Sequence, residues 1–177
     1  MAVANLGPDG ALSRNLGAVN ARLYNIIVTL YLADEAATMA VGARLATALQ
    51  PGLVVFLSGE LGVGKTTLVR GCLRALGYRG HVKSPTFTLV EVYKVSSLYF
   101  HHFDFYRFKN PREWNDAGFR DLFDADNVCL VEWPEKAGSH LPVADLAITL
   151  KHADPGRQAE ITAHTEKGRQ CLRRMDL

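Results

Sequence analysis

Leu53-Val54-Val55-Phe56-Leu57-Ser58-Gly59-Glu60-Leu61-Gly62-Val63-Gly64-Lys65-Thr66 is the stretch that decides the fold. Its first five residues are apolar, follow Pro51-Gly52 and are soon followed by glycines, which is the pattern of a buried parallel strand delivering a loop at its carboxyl end. Gly59-x-x-x-x-Gly64-Lys65-Thr66 matches G-x-x-x-x-G-K-[ST]. A helix is predicted from Lys65 to Leu76, with Leu68, Leu73 and Leu76 available for the core and Gly77 closing it. The loop positions divide the work of holding phosphate. Glycines let successive backbone N–H groups point at phosphate oxygens, and the helix amino end adds positive potential. Lys65 reaches the β and γ phosphates and Thr66 offers a hydroxyl to Mg²⁺. ATP and Mg²⁺ are therefore the expected ligands, with Glu60, Leu61, Gly62, Val63, Gly64, Lys65 and Thr66 as the nucleotide-binding run.

Upstream, the β-branched run Ile26-Ile27-Val28-Thr29 predicts a strand over Tyr24 to Leu32, and Asp34 can cap a helix reaching Leu49. Residues 1–23 hold glycines and scattered polar residues without a period, so they read as a flexible extension in front of a domain spanning 24–177. Downstream, strands are predicted at Thr86 to Tyr93 and Leu98 to Phe105, joined through Lys94-Val95-Ser96-Ser97 as an antiparallel pair. Pro111 is expected at the first position of a short helix towards Ala117. Val128-Cys129-Leu130-Val131 is a further buried strand ending on Glu132. Leu146 to Leu150 and Ala159 to His164 flank the turn signal Asp154-Pro155-Gly156, so a closing hairpin and a short basic tail are expected. The sum is a single α/β domain with the P-loop NTPase fold: a mixed parallel and antiparallel sheet flanked by helices.

Composition narrows the function classes. A chain of 177 residues, 48% hydrophobic, suffices for one domain with a real core. Its 20 basic and 18 acidic residues leave a net charge of +2, without the footprint of a dedicated nucleic-acid binder. Cys72, Cys129 and Cys171 are widely spaced and lack a C-x-x-C pair, which suggests reduced thiols and a cytoplasmic location. The longest apolar runs are strand-sized, so neither a signal peptide nor a membrane span is expected.

A P-loop ATPase usually holds its metal with a second acidic group at the end of a neighbouring strand. Glu132 and Asp104 are the two candidates; either could instead cap a strand or pair with a surface arginine. Strand alternation puts His102, Asp104 and Tyr106 on one face and His101, Phe103 and Phe105 on the other. Ser84-Pro85-Thr86-Phe87-Thr88 could return a hydroxyl to the γ-phosphate as a segment ordered by ATP; spacing alone equally allows a Pro-led strand entry.

With those residues assembled, the chain resembles the bacterial TsaE (YjeE) family, the ATPase of tRNA threonylcarbamoyladenosine biosynthesis. The resemblance runs from about Ile26 to Ala163. It is carried by Gly59 to Thr67, by Ser84-Pro85-Thr86-Phe87-Thr88-Leu89-Val90, by His102-Phe103-Asp104-Phe105-Tyr106-Arg107 and by Val131-Glu132-Trp133-Pro134. It implies that Thr67 extends the nucleotide-binding run, that Thr86 belongs to a switch-like loop near the γ-phosphate, that Asp104 and Glu132 flank the metal beside Thr66, and that Trp133 lies near the nucleotide. The family's acidic helix is matched by Glu113 and Gly118, whereas Arg112 and Asn115 depart from it.

By resemblance the chain would act on a threonylcarbamoyl transferase subunit (TsaD-like) and its non-catalytic partner (TsaB-like), which modify adenosine 37 of tRNA, touching tRNA through that complex. It would hydrolyse ATP without transferring the group itself. No Arg stands out from spacing as a finger, and no residue stands out as firmly as a water-positioning base, so turnover is expected to be slow alone and partner-dependent. Lys65 and the metal stabilise charge on the γ-phosphoryl group, and Asp104 is the candidate base if Glu132 holds the metal. Two rivals stand beside this reading. A small-molecule P-loop kinase normally shows an Arg-bearing lid, and no such segment is evident; a non-enzymatic ATP-gated scaffold would use binding alone. Arg169, Arg173 and Arg174 read as a solvated basic helix end or as a contact to tRNA or a partner.

Overall fold

The strand expected after Pro51-Gly52 is β2 (Val54–Ser58), and it lies in the middle of a seven-stranded sheet. Residues 26–177 are those described by the structure, a computed structural model; the extension expected at 1–23 lies outside them. Around β2 the chain runs through β1 (Ile26–Leu32), α1 (Glu35–Ala48), α2 (Lys65–Ala75), β3 (Val90–Val95), β4 (Leu98–Asp104) and α3 (Glu113–Asp116). It continues through β5 (Val128–Glu132), β6 (Leu146–His152), β7 (Arg157–Ala163) and α4 (Glu166–Arg174). The strand order is β1-β7-β6-β2-β5-β4-β3. β2 pairs parallel with β5 and β6, and β4 pairs parallel with β5. The other pairs are antiparallel. This is a single α/β domain with a mixed sheet and flanking helices.

Strand alternation divides the core. Val55, Leu57, Phe100, Leu130 and Ile148 face α1, α2 and α4, where they meet Leu45, Leu68, Val69 and Leu172. Phe103, Phe105, Cys129 and Val131 point the other way and pack with Trp114, Phe119 and Phe108. Phe105 stacks on Phe108 at 4.7 Å and meets Trp114 edge-on at 5.7 Å, arrangements favoured by the ring quadrupole. α1 is capped as expected, Ala37 N donating to Asp34 Oδ1 at 2.7 Å.

Several boundaries differ from expectation, each for a local reason. Residues 86–88 form a turn rather than the start of a strand; Leu89 adopts φ 65°, and its N–H bonds to Pro85 O at 2.7 Å, so β3 begins only at Val90. β4 stops at Asp104, whose carboxylate accepts from Tyr106 N at 2.9 Å and turns the chain. The β3–β4 hairpin is tighter than predicted: Val95 pairs with Leu98 and Ser96 takes φ 56°. Pro111 precedes α3 instead of opening it, and Glu113 Oε1 caps the approach by accepting from Lys109 N and Asn110 N, both at 2.8 Å.

The basic tail is a packed helix. Thr165 caps α4 through Gly168 N at 3.0 Å, and its hydroxyl donates to Asp145 Oδ1. Asp145 Oδ2 in turn accepts from Val54 N at 3.0 Å, which ties α4 to the amino ends of β2 and β6. Cys171 and Leu172 anchor the buried face, while Arg173 pairs with Glu166 on the exposed one.

All three cysteines are free and buried, and burial pushes each thiol up to about 12. Thiolate is the reactive form, so the native protein is expected to resist a thiol reagent at mildly alkaline pH and to react at all three after denaturation. Rapid labelling of the folded chain would contradict this.

Candidate functional site

The turn from β2 into α2 is made by glycines that no other residue could replace without strain. Gly59, Gly62 and Gly64 have φ of 132°, 77° and 115°, a region that favours glycine. A Cβ on Gly59 would overlap the Leu150 carbonyl oxygen, so the loop starts in backbone contact with β6. At Gly62 the same position has nothing within 4 Å, which leaves the backbone open to an approaching ligand. Val63 is fully buried beneath the loop, and Leu61 is exposed.

Lys65 opens α2. Its ammonium donates to Gly59 O at 2.7 Å and Glu60 O at 2.8 Å, and lies 4.0 Å from the Trp133 ring centre. Burial lowers its pKa below the ordinary lysine value, while the negative charges of Glu132, Asp104 and Glu135 act in the opposite direction. The next residue, Thr66, donates its hydroxyl to Glu132 Oε1 at 2.7 Å.

Parallel pairing of β4 with β5 sets Asp104 opposite Glu132 at the carboxyl ends of both strands. Glu132 Oε1 also lies 2.8 Å from His102 Nε2. Asp104 Oδ2 accepts from Ser84 and from Thr86 at 2.9 Å, and Asp104 N donates to Leu89 O at 3.1 Å, so segment 84–89 is tied to the end of β4. Phe87, on that segment, is 82% exposed and carries the Arg107 guanidinium over its ring at 4.0 Å. Trp133 adopts φ 57° and ψ 48°, which turns its ring over Lys65 and against Tyr106, 5.1 Å between centroids.

One cleft of about 270 Å³ is lined by Leu61, Gly62, Gly64, Lys65, Thr66, Thr67, Thr86, Asp104, Glu132 and Trp133, together with Ser84 and Tyr106. Two residues expected there stand apart. Val63 gives its side chain to the core, and Glu60 contributes its carbonyl to Lys65 but does not line the cleft. Sequence reasoning missed Arg157, which reaches the loop from β7: a Cβ on Gly64 would meet its Nη1 at 2.5 Å, and Nη1 lies 3.3 Å from Thr38 Oγ1. Only the strand order brings it there, and no motif around it gives a signal.

The donor set suits Mg²⁺. Thr66 and Glu132 already meet, with Asp104 one strand away, and all three offer oxygen; Mg²⁺ takes one or two carboxylates, waters and substrate phosphate oxygens. No helix among the described residues is long and apolar enough to cross a membrane.

The family model described as threonylcarbamoyl adenosine biosynthesis protein TsaE matches residues 32–160. A Haemophilus influenzae protein named tRNA threonylcarbamoyladenosine biosynthesis protein TsaE is 40% identical over 150 residues, 82% of this chain and 95% of that one. The Bacillus subtilis protein of the same name is 39% identical over 127 residues, covering 71% and 79%. The crystal structure of Bacillus subtilis YdiB superposes with a TM-score of 0.71 at 29% identity, covering 86% of this chain and 94% of that one.

Proposed function

The chain belongs to the TsaE family of threonylcarbamoyl adenosine biosynthesis proteins, and from that premise we propose that it is the ATP-binding and ATP-hydrolysing component of the tRNA N6-threonylcarbamoyladenosine machinery. It works in the cytoplasm on a TsaD-like transferase subunit and its TsaB-like partner, meets tRNA through that complex, and does not transfer the group itself. The observation that carries the reading is the contact of Thr66 with Glu132, 2.7 Å, in a cleft that Lys65 also lines.

Lys65 exchanges its two loop carbonyls for phosphate oxygens, and the N–H groups of the loop and the first turn of α2 surround the same oxygens. Thr66 and Glu132 would hold Mg²⁺, which would supply neutralisation of phosphate charge. Thr86 sits on a segment whose position depends on Asp104, so contact with the γ-phosphate competes with that bond and couples nucleotide state to the exposed Phe87 surface. Asp104 already accepts from Ser84, Thr86 and Tyr106 N, and in this reading it anchors the switch segment. Trp133 closes over the lysine.

Steady-state ATP hydrolysis by the chain alone and with the transferase pair tests the reading. Slow turnover alone and strong stimulation by the pair are expected, and Lys65→Ala should lower the stimulated rate about 10²-fold or more. ATP-dependent assembly without stimulated hydrolysis would move the reading to a scaffold. Undiminished hydrolysis by Lys65→Ala would overturn it.

A further inference from the structure

We propose that His102 is a positioning residue that fixes the rotamer of Glu132 and so sets the metal affinity of the cleft; the inference rests on reading that cleft as an ATP and Mg²⁺ site. His102 stands on β4, on the face turned towards α2, and is 0% exposed. Its Nε2 lies 2.8 Å from Glu132 Oε1, the oxygen that also accepts the Thr66 hydroxyl at 2.7 Å. An acceptor at that distance assigns the ring proton to Nε2. Two donors from different elements thus converge on one oxygen: β4 supplies the imidazole and α2 the hydroxyl. The carboxylate is held against rotation: both bonds fall on Oε1, Oε2 carries no hydrogen bond among the described residues, and Glu132 lines the cleft.

Packing alone does not account for an imidazole here. Nδ1 is buried and has no hydrogen-bond partner among the described residues, a cost that an apolar side chain of similar volume would avoid. The nearest aromatic neighbour, Tyr93, is 6.3 Å away between centroids and tilted by 31°, so the ring is not held by stacking. Glu132 is the group the imidazole serves, in the way that outer residues orient metal carboxylates elsewhere.

The variants are His102→Leu, which fills the space without a donor, and His102→Gln, whose amide N–H can replace the Nε2 donor. ATP affinity is measured by calorimetry in EDTA and in Mg²⁺, and Mn²⁺ serves as a directly observed probe of the metal site in the ADP complex. His102→Leu is expected to keep wild-type ATP affinity in EDTA and to lose about 10- to 100-fold in Mn²⁺ affinity, with His102→Gln recovering most of the loss. A fall in melting temperature with Mn²⁺ affinity unchanged would reduce His102 to a packing residue and overturn the proposal, as would a glutamine variant no better than leucine. Failure of the wild-type chain to bind ATP is a separate result, and it would remove the functional reading itself.

Discussion

Glu132→Gln is expected to lower Mg²⁺-dependent ATP turnover by about 10²-fold or more in a chain that remains folded. Glutamine keeps the volume and leaves a carbonyl oxygen for Thr66 and His102, so the two bonds that converge on Oε1 survive. The negative charge does not. In the proposed reading that loss weakens the metal site, and it also removes the first of the three acidic groups whose fields raise the Lys65 pKa against the lowering caused by burial. In the proposed ATP site Lys65 would bind phosphate as a cation; its pKa is already below the ordinary value, and without Glu132 it falls further. ATP affinity, measured from neutral to alkaline pH, should therefore decline at lower pH in the variant than in the wild type. Wild-type turnover would show that Glu132 does not hold the metal, and a pH curve that does not move would show that it does not support the lysine.

The glycine loop was legible in the sequence because each of its positions acts locally. Gly59, Gly62 and Gly64 take positive φ, Val63 anchors the loop, and Lys65 and Thr66 open the helix, all within one strand–loop–helix unit. The pairing of Asp104 with Glu132 was less so. Alternation gave the face of β4, but only the placement of β5 between β2 and β4 sets the two carboxylates side by side. Segment 84–89 misled a strand prediction because the competing partner is remote: the Asp104 carboxylate takes the Ser84 and Thr86 hydroxyls across 20 and 18 residues. At the carboxyl end a basic helix end was read from Arg169, Arg173 and Arg174, but the packing of that helix was hidden for another reason. Its sequence is almost wholly polar, with Cys171 and Leu172 as its buried apolar residues, and its fixing point, Asp145, lies on the approach to β6. Arg157 belongs with these, since an arginine after a turn gives no hint that the neighbouring strand order carries it to Gly64.

Gly42→Ala, which helix propensity alone would predict to stabilise α1 by about 1 kcal/mol, is expected instead to destabilise the protein by at least about 2 kcal/mol. A Cβ at Gly42 would overlap the Leu68 carbonyl oxygen and lie 2.8 Å from Cys72 N, and both are backbone atoms of α2 that cannot rotate away. The contact is reciprocal: a Cβ at Gly71 would overlap the Met39 carbonyl oxygen and lie 2.7 Å from Met39 Cα. The helices can accept a methyl only by separating. Because α2 begins at Lys65, separation shifts the lysine and Thr66 relative to Glu132, now 2.7 Å from the threonine hydroxyl. The variant should thus show both a lower urea midpoint and weaker ATP binding than its folded fraction accounts for. Gly77→Ala is the comparator: its φ of 94° makes alanine strained, but its Cβ would have nothing within 4 Å, so a loss of about 1–2 kcal/mol with unchanged ATP affinity is expected. If Gly42→Ala matched the wild type in both measurements, the interhelical contact would have slack, and the position of Lys65 would depend on the loop glycines rather than on the packing of α1 against α2.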